Sequence, residues 1–356
     1  MPRFARTMFV IASLSPGIPA VAQDVAERTP WGVESRFPIE QRAFAFRNDG
    51  AELRGTLFLP RGGRNLPVVI AFHGAAAPSA DHPLYGHLKA MLPPLGVAVL
   101  VFDRRGTGRS TGDDARKSDF DLLASDGVAA FRALAADPRF DPRRIGFWGL
   151  SQGGWLTLLA AAKEPRAAFA VAVSAPMAGA DVQMNYAVGN VMRIKGYPQA
   201  EIDRALAARR GVDRYVRGQA DRASAERLYR DAEKQPWWRD SYLAGNLDDP
   251  TWKGQMAADP LRALDGSRMP TLMVFGQADP WVPVAPALAA LDATAAKHPN
   301  VTLRVIDGAD HSMMLGVSPQ GQIDPANFGK LAPDAPAYFG LLASWLTERG
   351  IVAAKR

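Results

Sequence analysis

Gly149-Leu150-Ser151-Gln152-Gly153-Gly154 lies between the apolar run Ile145-Gly146-Phe147-Trp148 and an Ala- and Leu-rich stretch, Trp155 to Ala162. A buried strand, one serine among small residues, and then a helix predict a sharp strand-to-helix turn. The neighbours must be small because the backbone is strained there and larger side chains would crowd the serine. Such a turn lifts the Ser151 hydroxyl clear of a sheet and sets it at the positive end of a helix. G-x-S-x-G by itself also occurs in plain turns. Its placement after a strand and before a helix is the informative part.

Working outward, Val68 to Phe72, Val97 to Phe102, Phe169 to Val173, Thr271 to Phe275 and Val301 to Ile306 read as further strands. Most are apolar on both faces, as a parallel sheet covered by helices requires. Helical patterns such as Ser118 to Ala136 separate them, so an α/β fold with a mostly parallel central sheet flanked by helices is expected. Upstream, Arg42 to Phe46 and Leu53 to Leu59 flank Asn48-Asp49-Gly50, a turn signal that predicts an antiparallel hairpin at the sheet edge.

The alternation breaks between Met177 and Leu264, where no buried strand is legible. Charged, helix-favouring runs occur instead at Glu201 to Arg210 and Asp221 to Lys234, followed by Trp237, Trp238, Tyr242 and Trp252. This predicts a helical cap (177–264) inserted into a core made of 37–176 and 265–354. So many large aromatics on a polar segment need an apolar surface. Trp237 and Trp238, with Trp281, are expected to face Ser151 and wall a substrate pocket; the alternative is that the cap tryptophans only anchor the cap.

A serine is a weak nucleophile until a base takes its proton. Of five histidines, His311 follows the run Val301 to Ile306, which places it in a loop at the carboxyl edge of the sheet, where Ser151 also emerges. His298, before Pro299-Asn300, falls at the opposite edge and reads as a surface turn residue, and His73 reads as a structural loop histidine. The base needs a carboxylate to orient it. Asp279 follows Thr271 to Phe275 at the same edge and is the expected acid, with a turn-capping role as its alternative. Asp307 and Asp310 are nearer in sequence but share the loop of His311. The oxyanion of acyl transfer needs two N–H donors; Gln152 and, in His73-Gly74-Ala75-Ala76, Ala75 are the expected pair.

The 356-residue chain has no cysteine, which removes disulfides, thiolate metal sites and a cysteine nucleophile. Its net charge of +6 is spread along the chain, without basic runs interleaved with aromatics, so no nucleic-acid partner is expected. The histidines are scattered and no His-Glu-x-x-His occurs, so neither a metal nor another cofactor is expected. Asp103-Arg104-Arg105-Gly106-Thr107-Gly108-Arg109-Ser110 lacks the G-K-[ST] of a phosphate loop, and Asp103 and Arg105 read as residues that pin loops. Arg3 and Arg6, the apolar Met8 to Leu14 and Ala20-Val21-Ala22 resemble a cleavable signal peptide over 1–22, which predicts a periplasmic or secreted protein. No other segment approaches the ~18 apolar residues of a membrane span.

In combination, His73-Gly74, Asp103-x-Arg105-Gly106-x-Gly108-x-Ser110, Gly149-x-Ser151-Gln152-Gly153-Gly154, Gly276-x-x-Asp279-x-x-Val282-Pro283 and Asp310-His311 resemble the α/β-hydrolase superfamily from about Phe37 to Leu346. Within it the chain is similar to bacterial carboxylesterases of the acylaminoacyl-peptidase-like and bile-acid-acyltransferase-like kind. The resemblance implies Ser151 as nucleophile, Asp279 as acid, His311 as base and a helical cap after the sixth strand. It implies a serine hydrolase that cleaves small or medium carboxylic esters. Amide, peptide and thioester cleavage use the same triad and stay open, as does an inactive binding protein on this fold. Ala75-Ala76-Ala77 departs from the family pattern after His-Gly, which leaves the second oxyanion donor open.

Overall fold

The computed structural model describes residues 38–353 except 115–118, 244–246, 249, 258 and 266, so the expected signal peptide lies outside the described residues. A single eight-stranded sheet runs in the order β1-β2-β4-β3-β5-β6-β7-β8. The strands are β1 (Ile39–Asn48), β2 (Ala51–Pro60), β3 (Leu66–Phe72), β4 (Ala98–Phe102), β5 (Phe140–Leu150), β6 (Ala170–Val173), β7 (Thr271–Gly276) and β8 (Val301–Ile306). β1 and β2 form the expected edge hairpin, turning at Asp49 and Gly50 with φ of 44° and 71°. Both values belong to the left-handed region that a tight hairpin turn uses. β2 meets β4 antiparallel, and from β4 to β8 every pairing is parallel.

The helices are α1 (Gly86–Met91), α2 (Phe120–Ala135), α3 (Gln152–Lys163), α4 (Ala180–Ile194), α5 (Gln199–Val216), α6 (Arg222–Glu233), α7 (Pro250–Ala257), α8 (Pro260–Asp265), α9 (Val284–Ala293), α10 (Pro319–Ile323), α11 (Pro325–Phe328) and α12 (Pro336–Glu348). Alternate residues of a strand point to opposite faces. Val68, Ile70 and Phe72 of β3 accordingly pack with Phe131 of α2 and Leu156 of α3, whereas Val69 and Ala71 pack with Leu88 of α1 and Leu342 of α12. Each such fully buried Val, Ile, Leu or Phe side chain contributes about 1.5–3 kcal/mol. The double burial explains why these strands carry no polar alternation.

Between β6 and β7 lie α4 to α8. α4, α5 and the turn Trp238–Ser241 enclose a small apolar centre of their own, with Val188, Met192, Ile202, Ala205 and Trp237 in it. Because β6 and β7 pair directly, the insertion leaves the sheet uninterrupted. The insertion leaves the sheet at the carboxyl end of β6, the edge at which Ser151 also emerges from β5, and returns to the start of β7 at the opposite edge.

Candidate active site

Ser151 joins β5 to α3 with φ 59° and ψ −122°, a conformation that costs about 1–3 kcal/mol for a residue with a side chain. Its N–H donates to Val173 O of β6 at 2.8 Å, which ties the turn to the sheet. A Cβ at Gly149 would fall 2.0 Å from Gly153 O, so the residue two before the serine has no room for a side chain. The helix begins at Gln152, three residues earlier than its apolar pattern suggests. Gly153 and Gly154 thus form its first turn, and its positive end lies directly at the serine.

At the end of β7 the chain turns through Asp279. Its Oδ1 accepts from the N–H of Trp281 at 2.8 Å and of Val282 at 2.9 Å, which fixes the carboxylate plane. Oδ2 then lies 2.7 Å from His311 Nδ1. A carboxylate can only accept in this contact, so Nδ1 carries the proton and Nε2 keeps its lone pair. Asp310 directly precedes His311 in the loop after β8. Its Oδ1 accepts from Ser312 N at 2.8 Å and Met314 N at 2.9 Å, shaping the loop that presents His311. Asp307 is exposed. The structure therefore brings Asp279 to the imidazole, and neither Asp310 nor Asp307 is its partner.

Burial alone would lower the pKa of His311, but the Asp279 charge and hydrogen bond, with the Asp310 charge added, raise it above the ordinary histidine value. Three other histidines, His73, His82 and His87, are shifted the opposite way. Burial, with the Arg104 charge for His73, pushes His73 down to about 3, burial does the same to His87, and His82 is lowered mainly by burial. His298 corrects the sequence expectation of a surface residue: it is buried, with Nε2 3.3 Å from Asp265 Oδ1, although it does lie ahead of β8 at the amino edge.

After β3, Gly74 N donates to the buried Tyr85 hydroxyl at 3.2 Å, and that hydroxyl donates to Ala77 O at 2.6 Å. This bracket commits the Gly74 N–H. Ala75 and Ala76 are exposed on the cavity, and among the described residues nothing accepts from the Ala75 N–H. His73 is 1% exposed and stays out of the cavity wall. Asp103 accepts from Ala80 N at 2.7 Å and from Arg109 N and Nε at 2.9 Å each. Arg105 grips Asp126 with two N–H groups at 3.0 and 2.5 Å. Both hold loops.

Ser151, Gln152, Ala75 and His311 open onto one cavity of about 300 Å³, whose wall is mainly apolar. Trp281 stands in it, edge-on to Tyr242 on one side and to Phe328 on the other, with ring centroids 6.1 Å apart in each case. The expected Trp237 and Trp238 are absent from this wall. Trp237 is 2% exposed inside the insertion, where its indole N–H donates to Glu201 at 2.7 Å, and Trp238 stacks edge-on with Tyr229. Both face inward because α4, α5 and α6 bury a face of their own. Trp237→Ala should therefore cost about 3–5 kcal/mol of stability, read by denaturant unfolding, with substrate-size preference unchanged. Trp281→Ala should instead shift that preference, about 1–3 kcal/mol between substrates one methylene apart. A preference shift in the Trp237 variant would reverse this assignment.

Sequence reasoning had no hold on Gln322, Phe328 and Leu331, which line the cavity from the stretch after His311, nor on Gln183 and Met184 of α4. The Tyr242 backbone turns left-handed, φ 46°, and Arg209 on α5 donates to Ser241 O at 3.1 Å and Tyr242 O at 2.6 Å. A buried arginine aimed at two carbonyls thus fixes the tyrosine over the site. Among the described residues, no group of three or more His, Asp or Glu is placed to hold a metal ion, and no helix is long and apolar enough to cross a membrane.

The sequence model of the family described as "Serine aminopeptidase, S33" matches residues 63–316. Among curated proteins, polyketide transferase claH of Penicillium crustosum is 31% identical over 147 residues, 41% of this chain and 47% of that protein. Thiohydrolase aneE of Aspergillus aculeatus is 31% identical over 125 residues, 35% of this chain and 38% of that protein. The chain therefore spans less than half the length of these curated relatives. Among solved structures, the Pyrococcus furiosus esterase Pf2001 superposes with a TM-score of 0.53 at 18% identity, covering 88% of this chain and 91% of that one. The α/β-hydrolase GrgF of Penicillium sp. sh18 superposes with 0.52 at 21% identity, covering 87% and 99%. At these identities the structural likeness establishes the fold. With the family model covering well over half of its length, the chain belongs to the serine aminopeptidase S33 family of α/β-hydrolases.

Proposed function

We propose that the protein is a serine hydrolase that cleaves carboxylic esters of small or medium neutral acyl groups through an acyl-enzyme on Ser151. The observation that carries this reading is the Asp279–His311 contact of 2.7 Å on the wall of the cavity that Ser151 enters. In the reading, His311 Nε2 takes the Ser151 proton as Oγ attacks the ester carbon. The oxyanion is held by the N–H groups of Gln152 and Ala75. Collapse expels the alcohol, which leaves with the proton from His311. Water then repeats the sequence on the acyl-enzyme, returning the proton to Ser151 and releasing the acid.

A thioester substrate is a second reading, supported by relatives named as a thiohydrolase and a polyketide transferase. Aminopeptidase action has less support. A substrate ammonium group needs a carboxylate to meet it, and Asp310 is the one carboxylate among the described residues of the cavity wall, with its Oδ1 already holding two N–H groups. Purified protein assayed on matched p-nitrophenyl esters, acyl thioesters and aminoacyl anilides tests the reading. Turnover confined to the anilides would refute it.

Catalysis needs His311 neutral, and its pKa is raised. Activity should therefore be complete at alkaline pH and fall as pH drops through a midpoint above about 6.5, the ordinary histidine value. The depressed His73, His82 and His87 are already neutral there and add no second limb. A kcat/KM profile with its acid midpoint below 6 would contradict the assignment of the base.

A further inference from the structure

Three side chains of α4 lie on one stripe, at spacings of three and four residues, and all three donate to the loop that carries Asp279. Gln183 Nε2 donates to Trp281 O at 2.9 Å, Tyr186 Oη to Asp279 O at 3.3 Å, and Asn190 Nδ2 to Pro280 O at 3.2 Å. Consecutive carbonyls, 279, 280 and 281, are thus held by one helix. The opposite face of α4 is braced in turn: Asn185 Nδ2 donates to Asp213 Oδ2 on α5 at 3.2 Å, while Val188 and Met192 are buried against α5. The insertion therefore reaches the catalytic acid through hydrogen bonds as well as through apolar packing.

We propose that α4 is the positioning element of the acid loop, and that Gln183, Tyr186 and Asn190 act as positioning residues for the Asp279–His311 pair. The argument is geometric. Asp279 is fixed from inside its loop by the N–H groups of Trp281 and Val282, but those bonds travel with the loop and cannot place it against His311. Its external restraints include the Ala278 N–H, which donates to Ala309 O at 2.9 Å, the Gln277 N–H to Ile306 O at 3.0 Å and the ring contacts of Trp281, but the three α4 donors are the ones that hold the carbonyls of residues 279 to 281. Gln183 and Met184 also line the cavity. The helix that an acyl group touches is thus the helix that registers the acid. A misplacement of about 1 Å can cost 10²-fold in rate, so loss of this restraint should weaken catalysis without removing any reacting group.

The proposal rests on the triad reading above, and the test separates the two. The combined variant Gln183→Met, Tyr186→Phe and Asn190→Leu removes the three donors at nearly constant volume. The expected result is a 10- to 100-fold lower kcat per fluorophosphonate-titrated site, following from the misplacement cost, with KM within about threefold. The acid limb of kcat/KM should move to lower pH, because a loosened Asp279 raises the pKa of His311 less. Tyr186→Phe alone deletes one hydroxyl, leaves the helix intact, and should move both readouts in the same direction by a smaller amount. Unchanged kcat with an unmoved acid limb would overturn the proposal. So would a lowered kcat with the limb unmoved, because that pattern signals only a loosened insertion. Asp279→Asn, measured in parallel, reports on the triad: if it is not crippling, that reading has failed instead.

Discussion

Ser151→Ala should lower kcat on an ester substrate by about 10⁴- to 10⁶-fold, the range found when a triad nucleophile is removed. The residual rate comes from substrate held beside the oxyanion donors. The fold should survive. Alanine is no easier than serine to hold at φ 59°, and the Ser151 N–H bond to Val173 belongs to the backbone. Stability should consequently change by less than about 0.5–1 kcal/mol. The check pairs steady-state kinetics with mass spectrometry after fluorophosphonate treatment. One adduct is expected on the native protein at Ser151 and none on the variant; an adduct on the variant would move the nucleophile elsewhere.

Asp279→Asn is the second large effect. Asparagine keeps the shape and can still accept from Trp281 and Val282, but its amide would place an N–H donor or a neutral oxygen against His311 Nδ1. The imidazole loses the partner that fixes its tautomer, and kcat should fall about 10⁴-fold. The raised His311 pKa loses its main support, so the remaining activity should show an acid limb at lower pH than the native enzyme. Asp307→Asn, on an exposed side chain, should be nearly silent. Asp310→Asn should act chiefly on stability, because Oδ1 accepts two backbone N–H groups in a buried turn. If Asp310→Asn proved the crippling change and Asp279→Asn did not, the acid would have been misassigned.

The parts of this molecule that were legible in its sequence are those governed by local rules. Strands buried on both faces read as unbroken apolar runs, and Asn48-Asp49-Gly50 reads as a turn because few residues adopt two successive positive φ angles. Gly149 to Gly154 is legible for the same reason: the crowding that forbids a side chain at Gly149 acts between residues four apart. The insertion is another matter. Trp237 and Tyr242 are neighbours in sequence and both aromatic, yet one is enclosed by α4 and α5 and the other stands over the cavity. What separates them is Arg209, thirty-odd positions away, which sets the Tyr242 backbone. Gln183, Tyr186 and Asn190 carry no signal of their own, since polar residues on a helix usually face water. Only the placement of the Asp279 loop against them shows what they hydrogen-bond. Phe328 and Leu331 sit in a Pro- and Gly-rich stretch without periodicity, so the ring contact of Phe328 with Trp281 and the place of Leu331 on the cavity wall follow from tertiary packing alone.

The backbone at Ser151 has a consequence for what selection can do with this chain. A residue with a side chain at φ 59° and ψ −122° raises the energy of the folded state, and the surrounding sheet and helix absorb it. Glycine would hold the same angles without that penalty, so the most stable sequence for this backbone lacks the proposed nucleophile. Stability and reactivity therefore oppose each other at one position, and drift under selection for thermal resistance alone would tend to erase the hydroxyl first. The buried strands around it supply the surplus against which that penalty is tolerated.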